Sequence, residues 1–272
     1  MSSFGPLVSA AWLRDHLADE DVRVIDLRWF PDGRSGRDAY LAGHLPGAVF
    51  VDLDRDITGA EGPGRHPIPS RAQFEEAMQT AGLEPDRQVV VYDDLGGSSA
   101  ARLWWLLRYY GHREVAVLDG GLPAWEGPLE TDSVSPLRGG FHAAEPDREM
   151  VVDRDRVRSR GEAVLIDARA ADRYRGEVEP FDSKAGHIPG ARNVPWRSNL
   201  GKDWRFLPPA ELRAKYSAAG DTEVIAYCGS GITAAVDLLA LEVAGIEGAR
   251  LYEGSWSDWS RQDLPIATGP EP

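Results

Sequence analysis

Two nearly identical turns constrain this chain more than any other feature. Gly43-His44-Leu45-Pro46-Gly47-Ala48 returns 143 residues later as Gly186-His187-Ile188-Pro189-Gly190-Ala191. The flanking segments repeat as well. Val22 to Arg28 is matched by Ala163 to Arg169, and Val89 to Tyr92 by Val224 to Tyr227. Gly120-Gly121 with Trp125 is matched by Gly254-Ser255 with Trp259. Offsets of 134 to 143 residues exceed any solenoid period and point to a duplicated domain, which a chain of 272 residues can accommodate.

Within each copy, short β-branched runs alternate with helical patterns. Strands are expected at Val22–Leu27, Val89–Tyr92, Val115–Leu118, Val164–Ala168, Val224–Tyr227 and Ala249–Tyr252. Helices are expected at Gln73–Ala81, Ala100–Tyr109, Pro209–Ala218 and Thr233–Val243. This alternation predicts an α/β protein of two tandem domains, each a mainly parallel sheet flanked by helices on both faces. The expected boundaries are 1–130, a linker over 131–150 that is rich in Pro, Gly and Ser, and 151–272.

Duplication acts as an internal control. Features common to both copies build the fold, and features private to one copy are candidates for chemistry. Asp26/Asp167 and Arg28/Arg169 are shared and read as strand-end ion pairs, and His44/His187 read as braces of their turns. Aligning Tyr92 with Tyr227 sets Asp93 opposite Cys228, the only cysteine. The first domain therefore has no nucleophile and is expected to form a cover and wall of a cleft.

Cys228 ends a strand-like run and opens the loop Cys228-Gly229-Ser230-Gly231-Ile232-Thr233, which leads into a helical pattern. A sulfur so placed meets backbone N–H groups and the positive end of a helix dipole, and both stabilise an anion on it. Ligands of parallel sheets bind at the carboxyl ends of strands, where this cysteine falls. Tyr40 precedes His44 by four residues, whereas Tyr174 precedes His187 by thirteen. Copy two thus carries about nine additional residues, and Arg173 is private to it, opposite Ala39. A guanidinium there offers bidentate capture of a carboxylate or another oxyanion.

Composition narrows the function classes. A net charge of −14 argues against nucleic acid and anionic membranes as partners. A lone cysteine excludes an internal disulfide framework and a Cys-based zinc site, and fits a reducing compartment. The first 22 residues carry Arg14, Asp15, Asp19, Glu20 and Asp21 rather than an apolar leader, so a cytoplasmic protein is expected, and separately a monomer. Of the nine tryptophans, most are expected at an inter-domain seam. Trp29 and Trp196 stand where cleft-lining residues occur.

The duplicated Gly-His-x-Pro-Gly-Ala turns, the Asp-x-Arg strand ends, Arg173-Tyr174-Arg175-Gly176 and the cysteine loop together resemble the tandem-domain sulfurtransferases of the rhodanese superfamily. The resemblance covers nearly the whole chain. It implies an inactive first domain, an active second domain and a site in the cleft between them. It also implies that Cys228 forms a persulfide cradled by the N–H groups of Gly229, Ser230, Gly231, Ile232 and Thr233, with no metal or organic cofactor. Cyanide, a small thiol or a thioredoxin-like dithiol would then accept the sulfur.

Thiosulfate enzymes of the family resemble Cys-Arg-Lys-Gly at this loop, whereas 3-mercaptopyruvate enzymes resemble Cys-Gly-Ser-Gly-Val-Thr. This chain is close to the second, with Ile232 for Val, so 3-mercaptopyruvate is the expected donor and thiosulfate the runner-up. Arg173 matches the family's carboxylate-binding arginine. The second family arginine, in an acidic-Pro-Arg-Asp context, is replaced in Glu179-Pro180-Phe181-Asp182; Arg175 or Lys184 are the expected substitutes. The family's Ser–His–Asp assistance to the thiol maps onto Ser230, His44 and Asp38. A phosphatase or arsenate reductase would need an arginine six residues after the cysteine, where Ala234 stands. A silent interaction module is the remaining alternative.

Overall fold

The computed structural model describes residues 4–217, 220 and 222–272. Ala218, the expected end of the helix from Pro209, lies outside the described residues. The chain folds into two compact units. The first comprises residues 1–59, 69–146 and 202–206, and the second 60–68, 147–201 and 207–272.

In the first unit, five parallel strands lie in the order β1 (Leu7–Val8), β5 (Val115–Leu118), β4 (Gln88–Tyr92), β2 (Val22–Asp26) and β3 (Val49–Phe50). The second unit repeats this order with β6 (Val151–Val152), β10 (Arg250–Tyr252), β9 (Val224–Tyr227), β7 (Val164–Asp167) and β8 (Ala191–Asn193). Helices at Ala100–Tyr109 and Ala234–Val243 follow the central strands β4 and β9. Val89, Val90 and Val91 are wholly buried, as a strand covered on both faces requires. Each such side chain contributes about 1.5–3 kcal/mol on burial.

The shared residues brace the carboxyl ends of the strands. Asp26 lies in register with Tyr92, and Asp167 with Tyr227. Arg28 Nη2 lies 2.7 Å from Asp26 and Arg169 Nη2 lies 2.6 Å from Asp167, all of them buried. Tyr92 donates its hydroxyl to Asp26 at 2.6 Å. Burial, first, and the adjacent aspartate push the Tyr92 and Tyr227 hydroxyls far above their ordinary range, so both remain proton donors.

The histidine turns are built alike. His44 stacks on Tyr40 at 3.8 Å and His187 on Tyr174 at 3.7 Å, and each Nδ1 lies 2.8 Å from that tyrosine's carbonyl. The nine additional residues of copy two therefore loop out without disturbing the brace. Residues 131–146 belong to the first unit, where Phe141 is buried against Phe74. Trp256 and Trp259 sit in the second unit's own core, not at a seam, because the turn after β10 folds them under the sheet. Among the described residues no helix is long and apolar enough to cross a membrane.

Candidate active site

Strand β9 delivers Cys228 to the carboxyl edge of the second sheet with 2% of its surface exposed. The turn after β10 straps it there. Trp256 N donates to the Cys228 carbonyl at 2.9 Å, and Ser257 N donates to that of Gly229 at 2.9 Å. The Cys228 amide donates to Ser255 Oγ at 3.1 Å, and that hydroxyl donates onward to the Tyr252 carbonyl at 3.0 Å. Ser255 adopts φ of +52°, a left-handed conformation that costs a non-glycine residue of order 1 kcal/mol. The hydroxyl that anchors the cysteine amide offsets that cost.

The loop then turns back on the sulfur. Gly231, at φ of +85°, points its amide at Cys228 Sγ, 3.1 Å away. Ser230 and Ile232 are buried beside it, and Thr233 is the N-cap of the helix Ala234–Val243. One N–H is thus aimed at the sulfur, and the helix adds the positive end of its dipole. Inside that helix Asp237 is wholly buried, and Asn199 Nδ2 donates to its Oδ1 at 2.7 Å. Burial above all pushes its carboxyl well above the usual carboxylate range.

Two guanidinia flank the loop. A Cβ placed on Gly229 would lie 3.2 Å from Arg65 Nη2 and 3.3 Å from Arg173 Nη1. Each is oriented by a buried carboxylate from the additional segment of copy two. Glu179 receives Arg173 Nη2 at 2.7 Å and also Arg169 Nη1 at 3.2 Å, tying the site to the strand-end ion pair. Asp182 Oδ1 receives Arg65 Nη1, and Asp182 Oδ2 lies 3.9 Å from Arg173 Nη2. The Phe181 ring, half exposed, stands beside both cations, 5.6 Å from Arg65 and 5.1 Å from Arg173.

Arg173 is therefore brought to the cysteine loop as expected. Arg175 is not: it pairs with exposed Glu177 at 2.7 Å. Lys184 also turns aside, donating to the Gln262 carbonyl at 2.7 Å. Sequence reasoning missed Arg65, because residues 60–68 are irregular and lie in the first copy of the repeat. His44 and Asp38 both belong to the first unit. His44 is wholly buried with Nδ1 held by Tyr40, and Asp38 is exposed on the helix Gly36–Ala42. His44 has the same bracing position as His187. Trp29 donates Nε1 to Asp54 Oδ2 at 2.9 Å, and the Trp196 amide donates to the Ala168 carbonyl at 2.9 Å.

The first unit's equivalent loop follows β4. Its Asp93 carboxylate accepts from the amides of Leu95 and Gly97 through Oδ1, both at 2.9 Å. Oδ2 accepts from the amides of Ser99 at 2.8 Å and Ala100 at 2.9 Å, and from the Ser99 hydroxyl at 3.2 Å. Among the described residues no group of three or more His, Cys, Asp or Glu is placed to hold a metal ion.

A duplicated parallel α/β unit with a cysteine at one copy's strand end and a carboxylate at the other's defines a class of paired domains in which one copy alone carries a thiol. The rhodanese-like domain matches residues 9–128 and 154–262, and the chain belongs to that family. It is 44% identical to a Pseudomonas aeruginosa protein named "Probable 3-mercaptopyruvate sulfurtransferase", over 98% of this chain and 99% of that one. It is 43% identical to a Mycobacterium tuberculosis protein provisionally named thiosulfate sulfurtransferase SseB, over 97% of each. The crystal structure of the Escherichia coli 3-mercaptopyruvate enzyme SseA superposes with a TM-score of 0.83 at 38% identity, covering 93% of this chain and 99% of that one.

Proposed function

We propose that this chain is a sulfurtransferase that moves sulfane sulfur from 3-mercaptopyruvate through a Cys228 persulfide to cyanide or a thiol. The observation that carries the reading is Cys228 Sγ under the Gly231 amide, beside two guanidinia. The Cys228 thiolate attacks the donor sulfur. The carbon–sulfur bond breaks, its electron pair passes to the adjacent carbon as the pyruvate enolate, and a solvent proton completes pyruvate. The outer sulfur remains on Cys228 as Cys–S–SH. The persulfide proton passes to solvent, cyanide attacks the outer sulfur, the S–S bond breaks, and thiocyanate leaves with the thiolate restored. A small thiol or a thioredoxin-like dithiol serves as acceptor by the same displacement.

The neutral loop favours a monoanionic keto acid whose carboxylate is held to one side of the sulfur. Ser230 and the amides of Gly229 to Thr233 are the proposed cradle of the persulfide, and Arg173 the proposed carboxylate ligand. Catalysis belongs to residues 151–272 together with 60–68, while 1–130 lacks a nucleophile. The chain works as a monomer in the cytoplasm, where its single thiol stays reduced, without a metal or organic cofactor.

Thiosulfate is the second reading, because two guanidinia also suit a dianion. The test is thiocyanate formation from 3-mercaptopyruvate and from thiosulfate side by side, with Cys228→Ser as the blank. A much larger kcat/KM for 3-mercaptopyruvate is expected. A larger value for thiosulfate would transfer the assignment to that donor, and folded, reduced protein inactive with both would favour an interaction module.

A further inference from the structure

The geometry points to Arg65, supplied by the first half of the chain, as the second guanidinium of a carboxylate clamp over the Cys228 loop. The inference rests on the sulfurtransferase reading above and adds the residue that sets its preference for anionic donors. Arg173 alone presents one fork, and its Nε and Nη2 edge already faces Glu179, at 3.3 Å and 2.7 Å. Arg65 is bound through Nη1 to Asp182. The atoms nearest a Cβ on Gly229 are Arg65 Nη2 at 3.2 Å and Arg173 Nη1 and Nη2 at 3.3 and 3.4 Å, so both cations face it. A carboxylate lodged over Gly229 would receive one N–H from each side, with the sulfur one residue away.

Three further observations fit this assignment. Arg65 is anchored at its backbone too, its amide donating to Ser257 Oγ at 3.0 Å, in the same turn that straps the cysteine loop. Gly64, at φ of +77°, lets that segment approach: a Cβ there would lie 2.5 Å from the Gly254 carbonyl. Phe181 stands beside both guanidinia and limits their swing. Phe181 thus orients the two cations instead of contributing a third.

The test uses the full chain as wild type, Arg65→Ala, Arg65→Lys and the double variant Arg65→Ala/Phe181→Arg. One readout is the KM and kcat for 3-mercaptopyruvate. The other, independent of turnover, is the rate of Cys228 alkylation by anionic iodoacetate relative to neutral iodoacetamide. Loss of one charge-assisted hydrogen bond should raise KM about tenfold, with kcat nearly unchanged. The iodoacetate-to-iodoacetamide ratio should fall several-fold in parallel. Arg65→Lys, which keeps the charge and loses the fork, should fall between, and Phe181→Arg should restore part of the loss. A merely structural role would slow both alkylating agents equally.

Unchanged KM and an unchanged alkylation ratio in folded Arg65→Ala, or in Arg65→Lys should the alanine variant not fold, would overturn the assignment. If the wild type fails to turn over 3-mercaptopyruvate but the alkylation ratio still depends on Arg65, the donor reading falls and the clamp stands.

Discussion

The loop after β4 and the loop after β9 solve one electrostatic problem in two ways. Both leave the carboxyl end of a central strand, beside an Asp–Tyr register and an Asp–Arg ion pair. In the first unit the Asp93 carboxylate fills that concavity and accepts four backbone N–H bonds. In the second, the sulfur of Cys228 occupies the corresponding position and accepts from Gly231. The same turn thus holds a carboxylate by four backbone N–H groups in one unit and a sulfur by one in the other.

The most direct way to break the contrast is to install the first unit's solution in the second. Cys228→Asp should abolish sulfur transfer to cyanide and prevent the gain of one sulfur atom by mass spectrometry, while circular dichroism stays native. Next in size is the reverse insult. Asp93→Ala leaves several buried amides without an acceptor and should destabilise the protein by about 3 kcal/mol or more, read by chemical denaturation. Asp93→Asn should recover part of this, since one amide oxygen can still accept.

A smaller effect sharpens the role of the strap. Ser255→Ala removes the acceptor of the Cys228 amide and should lower kcat about fivefold, consistent with one hydrogen bond of about 1 kcal/mol. The equivalent first-unit position is Gly121, at φ of +60°. Ser255→Gly would relieve the left-handed backbone yet also lose the hydroxyl, so its kcat should fall like that of the alanine variant while its stability is better preserved.

The smallest effect concerns Asp237. Its folded carboxyl is held above the ordinary value, so the folded state binds a proton that the unfolded chain releases near pH 4. The resulting stability is fully present below that pH and is lost as pH rises toward the folded value. Asp237→Asn should therefore gain stability relative to wild type as pH rises from about 4 toward neutrality, with kcat nearly unchanged. A large loss of kcat would show that the Asp237 proton takes part in the chemistry.

Much of this was legible in the sequence because duplication wrote it twice. The central strands and the helix Ala100–Tyr109 fall where periodicity placed them, since long buried runs such as Val89–Val90–Val91 carry a strong signal. The edge strands Leu7–Val8 and Val49–Phe50 were not read, because two residues give no alternation to detect. Cys228 was legible from its glycines, and Arg173 from its absence in copy one. Arg65 was not, because its place comes from the anchoring of an irregular segment to Ser257 and Asp182, which no local pattern encodes. His44 and His187 were read as braces because both copies share them, and both are stacked, wholly buried rings held at Nδ1 by a carbonyl.

The membership of residues 60–68 in the second unit bears on how this duplicated chain can be divided. A fragment starting at Asp147 would contain the thiol, its loop and every strand of its sheet. It would nonetheless lack Arg65, which is encoded upstream among the helices of the first copy. The ancestral repeats have thus ceased to be interchangeable parts. Inheritance of the cysteine-bearing copy without its partner would pass on the thiol but leave behind one of the two guanidinia beside its loop.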